Sequence, residues 1–248
     1  MATDYSVIIP AYNEEAYLGH TLDALRQAMA TVSLNGEIIV TDNNSTDATA
    51  DIAKAGGARV VFEAVNQISR ARNAGARQAA GRYLVFVDAD TAVAPALLQA
   101  ALDNLESGTC CGGGANVDMD VAVRRGARLT VNFWNWISRT FRLAAGCFVY
   151  CTREDFEAVG GFSEKVYASE EIWLSAALKR IGRKSKRKFI IIRKPMAITS
   201  GRKLVWFNTT QHLALLIILA FFPYLLRFKR VAWYWYRRPE TNDDGENK

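Results

Sequence analysis

Four uninterrupted apolar runs, each followed by a stretch of helical pattern or a polar cluster, limit this chain to a narrow set of folds. They are "YSVIIP" (5–10), "EIIVT" (37–41), "ARVVF" (58–62) and "RYLVFVD" (82–88), with helix-like stretches at 14–30, 45–57 and 69–80 between them. Continuous rather than alternating apolar strands are buried on both faces. A helix between successive strands is the crossover that parallel pairing requires. The expectation is a mostly parallel sheet with helices on both sides. Ligands of such sheets bind beyond the carboxyl ends of the strands. The polar clusters fall on that edge: "YNEE" follows the first strand, "TDNNSTD" the second and "DADT" the fourth.

The second half is more mixed. "TCCGGGANVDMD" (109–120) reads as a strand with a glycine-rich entry, and 121–143 as a helix rich in Arg, Trp and Phe. "GCFVYCTREDFEAVGGF" (146–162) reads as strand, short helix and glycine turn, and "SEEIWLSAALKRIG" (169–182) as an amphipathic helix before a late strand, "KFIIIR" (188–193). Without an internal repeat or a Ser/Gly linker, the 248 residues form one α/β domain over 1–203 and a tail over 204–248. From Leu204 to Leu226 the tail has no charged residue, and Arg227, Lys229, Arg230 and "WYWYRRP" follow. A membrane span needs about 20 predominantly apolar residues, and the front of this run, "FNTTQH", is polar. The run therefore reads as an interfacial or re-entrant segment, a span, or core packing. Aromatic residues beside basic ones favour a membrane surface.

The formal charge of +6 is concentrated in 179–194 and in the tail. Such a distribution suits phosphorylated substrates or an anionic membrane face. No nucleic-acid-reading motif accompanies it, so no nucleic-acid partner is expected. Cys110, Cys111, Cys147 and Cys151 match no zinc spacing, and "MATDYSVIIP" enters the first strand without a leader pattern. Buried, reduced thiols in a cytosolic protein are expected.

Each polar cluster has a chemical and a structural reading. Asp88 and Asp90 could supply hard oxygen ligands to a divalent cation that also binds phosphate, or Asp90 or Thr91 could cap a helix starting near Pro95. Asp42 could meet a nucleobase or ribose, or close a turn, whereas Asp47 is assigned to helix capping. Arg70 and Arg72 could meet phosphates and Asn73 a base or sugar, or all three could be surface residues. Glu170 and Glu171 could offer a general base or simply favour the helix dipole. Neighbours on a helix do not share a face, so one of the two is expected in a site. Trp134, Trp136 and Trp173 suit either stacking on a sugar or the core.

Taken in order, "VIIPAYNEE" (7–15), "IIVTDNNSTDAT" (38–49), "ARNAGARQAAGRYLVFVDADT" (71–91), "GCFVYCTREDFEAVGGFSE" (146–164) and "SEEIWLSAALKRIGRK" (169–184) resemble the motifs of family 2 glycosyltransferases. The resemblance implies the GT-A fold, a three-layer α/β/α nucleotide-binding domain with a mixed, mostly parallel sheet, here with an apolar helical tail. Its nucleotide-binding half would be about 1–92 and its acceptor half about 93–203. Pro10, Tyr12 and Glu14 would line the nucleotide pocket, Asp42 would hold the base, and Arg72 and Asn73 would close the other side. Asp88, Ala89 and Asp90 would flank the donor, with Asp90 and Asp88 binding Mg²⁺ or Mn²⁺. Glu171 would be the base, with Glu170 as its alternative. The implied reaction transfers a sugar from a UDP or GDP sugar to an acceptor hydroxyl, lipid-linked given the tail, with inversion, at the cytoplasmic face of a membrane.

Three positions depart from the family pattern. Glu170-Glu171 stands where Glu-Asp is usual, and Trp173 where an acidic residue is common. "ITSGRK" (198–203) offers Ser200 and Arg202 where many members have a histidine near the metal, so Arg202 is expected to grip the diphosphate. A sugar nucleotidyltransferase and a catalytically silent nucleotide-sugar-binding scaffold are the alternative readings.

Overall fold

The computed structural model describes residues 2–120 and 125–202, with Leu225, Arg227, Phe228 and 230–232 beyond them. The apolar run 204–226 and the rest of the tail otherwise lie outside the described residues. Among the described residues no helix is long and apolar enough to cross a membrane.

The first half of the described chain contains β1 (Tyr5–Ala11), α1 (Leu18–Met29), β2 (Gly36–Asp42), α2 (Thr49–Ala55), β3 (Arg59–Phe62), α3 (Ile68–Gln78) and β4 (Tyr83–Val87). Then come β5 (Thr91–Ala92), α4 (Pro95–Glu106), β6 (Cys110–Met119), α5 (Arg125–Phe141), β7 (Phe148–Thr152), α6 (Arg153–Ala158), α7 (Glu170–Lys184) and β8 (Lys188–Thr199). One eight-stranded sheet has the order β3-β2-β1-β4-β7-β6-β8-β5. β3, β2, β1 and β4 are mutually parallel, as their continuous apolar sequences predict. β7 enters antiparallel between β4 and β6, β8 runs parallel to β6, and β5 is antiparallel to the end of β8. The mixed sheet with helices on both faces is the GT-A-like architecture.

Two cores lie on opposite faces of the sheet. One gathers Leu18, Leu22 and Leu25 of α1, Ala53 of α2 and Leu97, Leu98 and Leu102 of α4 against Val7, Ile9 and Val85. The other packs Ala76 of α3, Phe156 of α6, and Leu174 and Leu178 of α7 against Ile8, Leu84 and Phe86. Phe86 meets Phe162 edge-on at 4.9 Å, which fixes the turn after α6. All four cysteines are buried and unpaired by disulfides.

Local chemistry moves several element ends from their expected positions. The helix expected from 14 starts at Leu18, because Glu14 to Tyr17 form a turn with Tyr17 N–H donating to Glu14 O at 3.0 Å. The helix expected from 45 starts at Thr49, because 45–48 bond instead to the loop after β1. Neither Asp90 nor Thr91 caps α4: its cap is Ala94, with Pro95 in the first turn where a missing N–H costs nothing. The late strand extends to Thr199, six residues past the apolar run that marks it, because its pairing with β6 resumes after an irregularity opposite Ala115–Val117.

The glycines of β6 allow close strand packing. A Cβ at Gly113 would stand 1.9 Å from the Ile190 carbonyl oxygen and 2.4 Å from the Tyr150 hydroxyl. Gly113→Ala is therefore expected to lower stability by roughly 3 kcal/mol through overpacking, read as a lower urea midpoint at unchanged m-value. An unchanged midpoint would contradict this packing.

Candidate active site

The sheet edge where β1, β2 and β4 end carries three polar loops, and hydrogen bonds join the first two. The backbone N–H of Asn13 donates to Ser45 Oγ (3.0 Å), that of Glu14 to Thr49 Oγ1 (2.7 Å), and that of Thr46 to Asn13 Oδ1 (2.8 Å). Asn13 and Asn44 take positive φ angles of 50° and 66°, conformations that asparagine tolerates better than most residues. Asp42 is buried at the end of β2 and accepts from Ser45 N–H at 2.9 Å, so one of its oxygens shapes the turn. Asp47 accepts from Thr49 N–H at 3.0 Å, but the cap of α2 is Ala48, so Asp47 braces the turn just before the helix instead of capping it as expected. Tyr12 is partly exposed beside this loop, whereas Pro10 is buried within β1 opposite Thr41.

The third loop is held from both sides. Thr21 of α1 donates to the Ala89 carbonyl at 2.8 Å, which anchors the residue between the aspartates. Asp90 lies against the end of β8: Thr199 donates to its Oδ1 at 3.3 Å, and its carbonyl accepts from Ser200 N–H at 3.2 Å. Two residues on, Arg202 reaches Asp90 Oδ2 at 3.0 Å and forks across both oxygens of Glu14 at 2.8 and 2.7 Å. Its guanidinium also lies 4.5 Å from the centre of the Tyr17 ring, a cation–π contact. One guanidinium thus joins the loop after β1, the loop after β4 and the end of β8.

A second guanidinium lies deeper. Arg72 of α3 is 1% exposed; it pairs with Asp88 Oδ1 at 2.7 Å, pairs closely with Glu170, and donates to the Gly146 carbonyl at 2.9 Å. Glu170 and Glu171 open α7 after Ser169, whose left-handed backbone (φ 60°) turns the chain into the helix. Both carboxylates converge on the Arg72 cluster, which corrects the expectation that only one would enter. They differ in their situation. Glu170 is buried in its ion pair, whereas Glu171 is partly exposed beside Gly146. Burial, then the charge of Glu170, push the Glu171 carboxyl up to about 8, against the lowering effect of Arg72. One cation cannot hold three nearby carboxylates ionised, so the proton stays on the one without a close ion pair.

Asn73 has a different task from the one expected of it. Its Oδ1 accepts from Phe162 N–H (2.9 Å), and its Nδ2 donates to the Phe162 carbonyl (2.9 Å) and to Glu164 (3.0 Å). These bonds saturate the amide on the turn after α6 and fix that turn to α3. Arg70 likewise pairs with Glu63 and Glu164. Sequence reasoning missed Tyr17, Thr21, Gly146 and Thr199, none of which stands in a charged or repeated pattern. Trp134 packs partly against the core, while Trp136 and Trp173 are about half exposed.

Among the described residues no group of three His, Cys, Asp or Glu side chains is arranged to hold a metal by protein ligands alone. Asp88 is ion-paired to Arg72 and Asp90 to Arg202, and each of these cations is shared with a glutamate, Glu170 and Glu14 respectively.

Comparison with known proteins gives this geometry a family. The model for "Glycosyl transferase family 2" matches residues 6–159. Validoxylamine A glucosyltransferase of Streptomyces hygroscopicus subsp. limoneus is 35% identical over 103 residues, 39% of this chain and 22% of that protein. An uncharacterized glycosyltransferase of Bacillus subtilis, EpsJ, is 33% identical over 107 residues, covering 41% of this chain and 30% of the relative. The chain thus matches less than a third of the length of these curated relatives. Among solved structures, the mannosyltransferase PcManGT of Pyrobaculum calidifontis, in complex with GDP-Man and Mn²⁺, superposes with a TM-score of 0.64 at 20% identity, over 94% of this chain and 70% of that one. Glucosyl-3-phosphoglycerate synthase of Mycobacterium tuberculosis, with Mn²⁺, UDP and glucosyl-3-phosphoglycerate, gives 0.59 at 21% identity, over 87% and 79%. With well over half of its residues matched by the family model, the chain belongs to glycosyl transferase family 2.

Proposed function

We propose that this protein transfers a sugar from a UDP or GDP sugar to an acceptor hydroxyl in a single displacement with inversion. The observation that carries this reading is the Arg72 bridge, which ties the donor-side Asp88 to the paired glutamates of α7 through one buried guanidinium. The nucleotide lies along the edge formed by Tyr12, Glu14 and Asp42, and its diphosphate faces Asp88, Ala89 and Asp90. Glu171 takes the proton from the acceptor hydroxyl as that oxygen bonds to the anomeric carbon. The bond from that carbon to the diphosphate oxygen breaks with its electron pair, and nucleoside diphosphate leaves. Glu170 is spent on Arg72 and positions the base.

The donor set at Asp88 and Asp90 suits Mg²⁺ or Mn²⁺, which commonly bind one or two carboxylates together with substrate phosphates. The metal-containing complexes of the similar structures support the same reading. When bound, the cation neutralises charge on the departing diphosphate. Arg202, already seated on Asp90 and Glu14, is in reach to exchange those carboxylates for diphosphate oxygens. The uncharged run 204–226 supports a lipid-linked acceptor and a place at the cytoplasmic face of a membrane.

Product analysis over a panel of UDP and GDP sugars is expected to find nucleoside diphosphate, and Asp90→Ala should abolish its release while the variant stays folded. Pyrophosphate as product, or full activity in Asp90→Ala, would sink the assignment. Glu171→Gln should lower kcat roughly 10³-fold, the scale of general base catalysis.

Because Glu171 must lose its proton to act, kcat/KM should rise about tenfold per pH unit up to about 8 and then level. A flat profile from pH 6 to 8 would refute its role. The same raised value has a stability consequence. Protonated Glu171 stabilises the fold fully below about 4.5, and that contribution is lost as pH rises through about 8. The wild-type urea midpoint should therefore fall across this window more than that of Glu171→Gln.

Arg72→Gln leaves Glu170 buried without its cation and should cost roughly 3 kcal/mol of stability, measured by urea unfolding at neutral pH. A variant as stable as wild type would show that the bridge is dispensable.

A further inference from the structure

On the acceptor half, an open cavity of about 620 Å³ lies between α5 and the irregular part of the β6–β8 pairing. Its lining includes three asparagines, Asn116, Asn132 and Asn135, and three cations, Arg139, Arg193 and Lys194. The asparagines differ in how they are satisfied. Asn135 is buried and fully engaged, its amide bonding both the N–H and the carbonyl of Val117 at 2.9 and 2.8 Å. Asn116 is 4% exposed and donates to the Arg193 carbonyl at 3.2 Å, but its Oδ1 is buried without a hydrogen-bond partner. A buried amide oxygen left unsatisfied costs free energy that a ligand donor would recover. Among the described residues, Arg139, Arg193 and Lys194 have no carboxylate partner, so the rim is positive and uncompensated.

The outer side of α5 adds an apolar element to this charge. Val131, Asn135 and Ser138 face the sheet, while Leu129, Phe133 and Trp136 project outward at 69%, 54% and 51% exposure. Phe133 and Trp136 stack with ring centres 5.8 Å apart. At 3.6 residues per turn, Leu129, Phe133 and Trp136 form one ridge, and Asn132 and Arg139 lie on the flank beside it. From its carboxyl end α5 leads into the segment 142–147, where Gly146 receives Arg72 beside Glu171. The helix that lines the cavity therefore leads in sequence to the segment beside the proposed base.

We propose that this cavity holds the head group of a phosphate-bearing polyol amphiphile, with its alkyl chain along the Leu129–Phe133–Trp136 ridge. The three cations take the phosphate oxygens, and Asn116 Oδ1 accepts from a head-group hydroxyl. This ligand is the acceptor, or its anchoring part, for the reaction proposed above, and the inference rests on that reading. A phosphate group without a hydroxyl beside it, as in a phosphodiester, would leave the amide oxygen unmet, and a neutral sugar would leave the rim charges unmet.

Calorimetric titration of the full chain with lauroyl lysophosphatidylglycerol, below its micelle-forming concentration, tests the assignment. Glycerol phosphate supplies the head group without the chain, and dodecyl maltoside supplies chain and hydroxyls without phosphate. Lysophosphatidylglycerol should bind, glycerol phosphate at least roughly tenfold more weakly, and dodecyl maltoside more weakly still. All three cations are exposed, so the triple variant R139Q/R193Q/K194Q should stay folded. It should lose roughly 100-fold in affinity for the lysolipid. F133S/W136S should lower lysolipid affinity while leaving that for glycerol phosphate unchanged. Wild-type affinity in the triple variant, or no lysolipid binding at all, overturns the site. Equal affinity for dodecyl maltoside overturns the phosphate, and equal affinity for glycerol phosphate overturns the alkyl chain. UDP and GDP titrated into the same samples report separately on the proposed donor site, so its failure cannot be mistaken for failure of this cavity.

Discussion

The buried guanidinium of Arg72 is the interaction around which the candidate site is arranged. It comes from α3 on one face of the sheet, and it collects a carboxylate from the end of β4, another from the start of α7 and the carbonyl of Gly146. A buried cation is tolerated only when its charge is matched and its N–H groups are used. Matching it with Asp88 and Glu170 brings together segments that are far apart in the chain. Burial, and after it the negative charge of Glu170, then have a chemical effect. They leave Glu171 beside the cluster with a proton bound more tightly than an ordinary carboxyl holds it.

Arg202 repeats this arrangement nearer the surface, with a different balance. Its partners, Glu14 and Asp90, are carboxylates that the proposed nucleotide and cation would also address. Arg72 is enclosed, whereas Arg202 is partly accessible, and in the proposed reaction an incoming diphosphate would compete for it. On that proposal the two arginines divide the work of one sheet edge: one holds the carboxylates in position, and the other supplies positive charge where negative charge would arrive.

Much of this was legible in the sequence. Continuous apolar strands and intervening helices specify the parallel half of the sheet, and the loops at its edge stand out because strand ends are where such sheets bind ligands. The antiparallel entry of β7 between β4 and β6 was not readable, since "CFVYC" carries no mark of direction. Side-chain assignments within the site were less secure, for a physical reason. Polar residues in a loop can face a ligand or another loop with equal chemical sense, and only packing decides. Asn73 faces Phe162, and Arg72 is enclosed, because α3 lies directly beneath the turn after α6. The cavity beside α5 could not be anticipated, because it comes from an irregularity in β-pairing and not from any run of residues.

The contact between Arg202 and Glu14 joins residues 188 positions apart. Domains emerge from synthesis with their amino-terminal parts first. Here β1 to β4 and the loops that carry Glu14 and Asp90 exist well before the end of β8 arrives with the guanidinium that pairs with both. Until then Glu14 and Asp90 lack this cation, and β5 lacks the strand it pairs with. This sheet edge is thus encoded early and closed late, so a partly made chain would hold Glu14 and Asp90 without the cation that pairs with them.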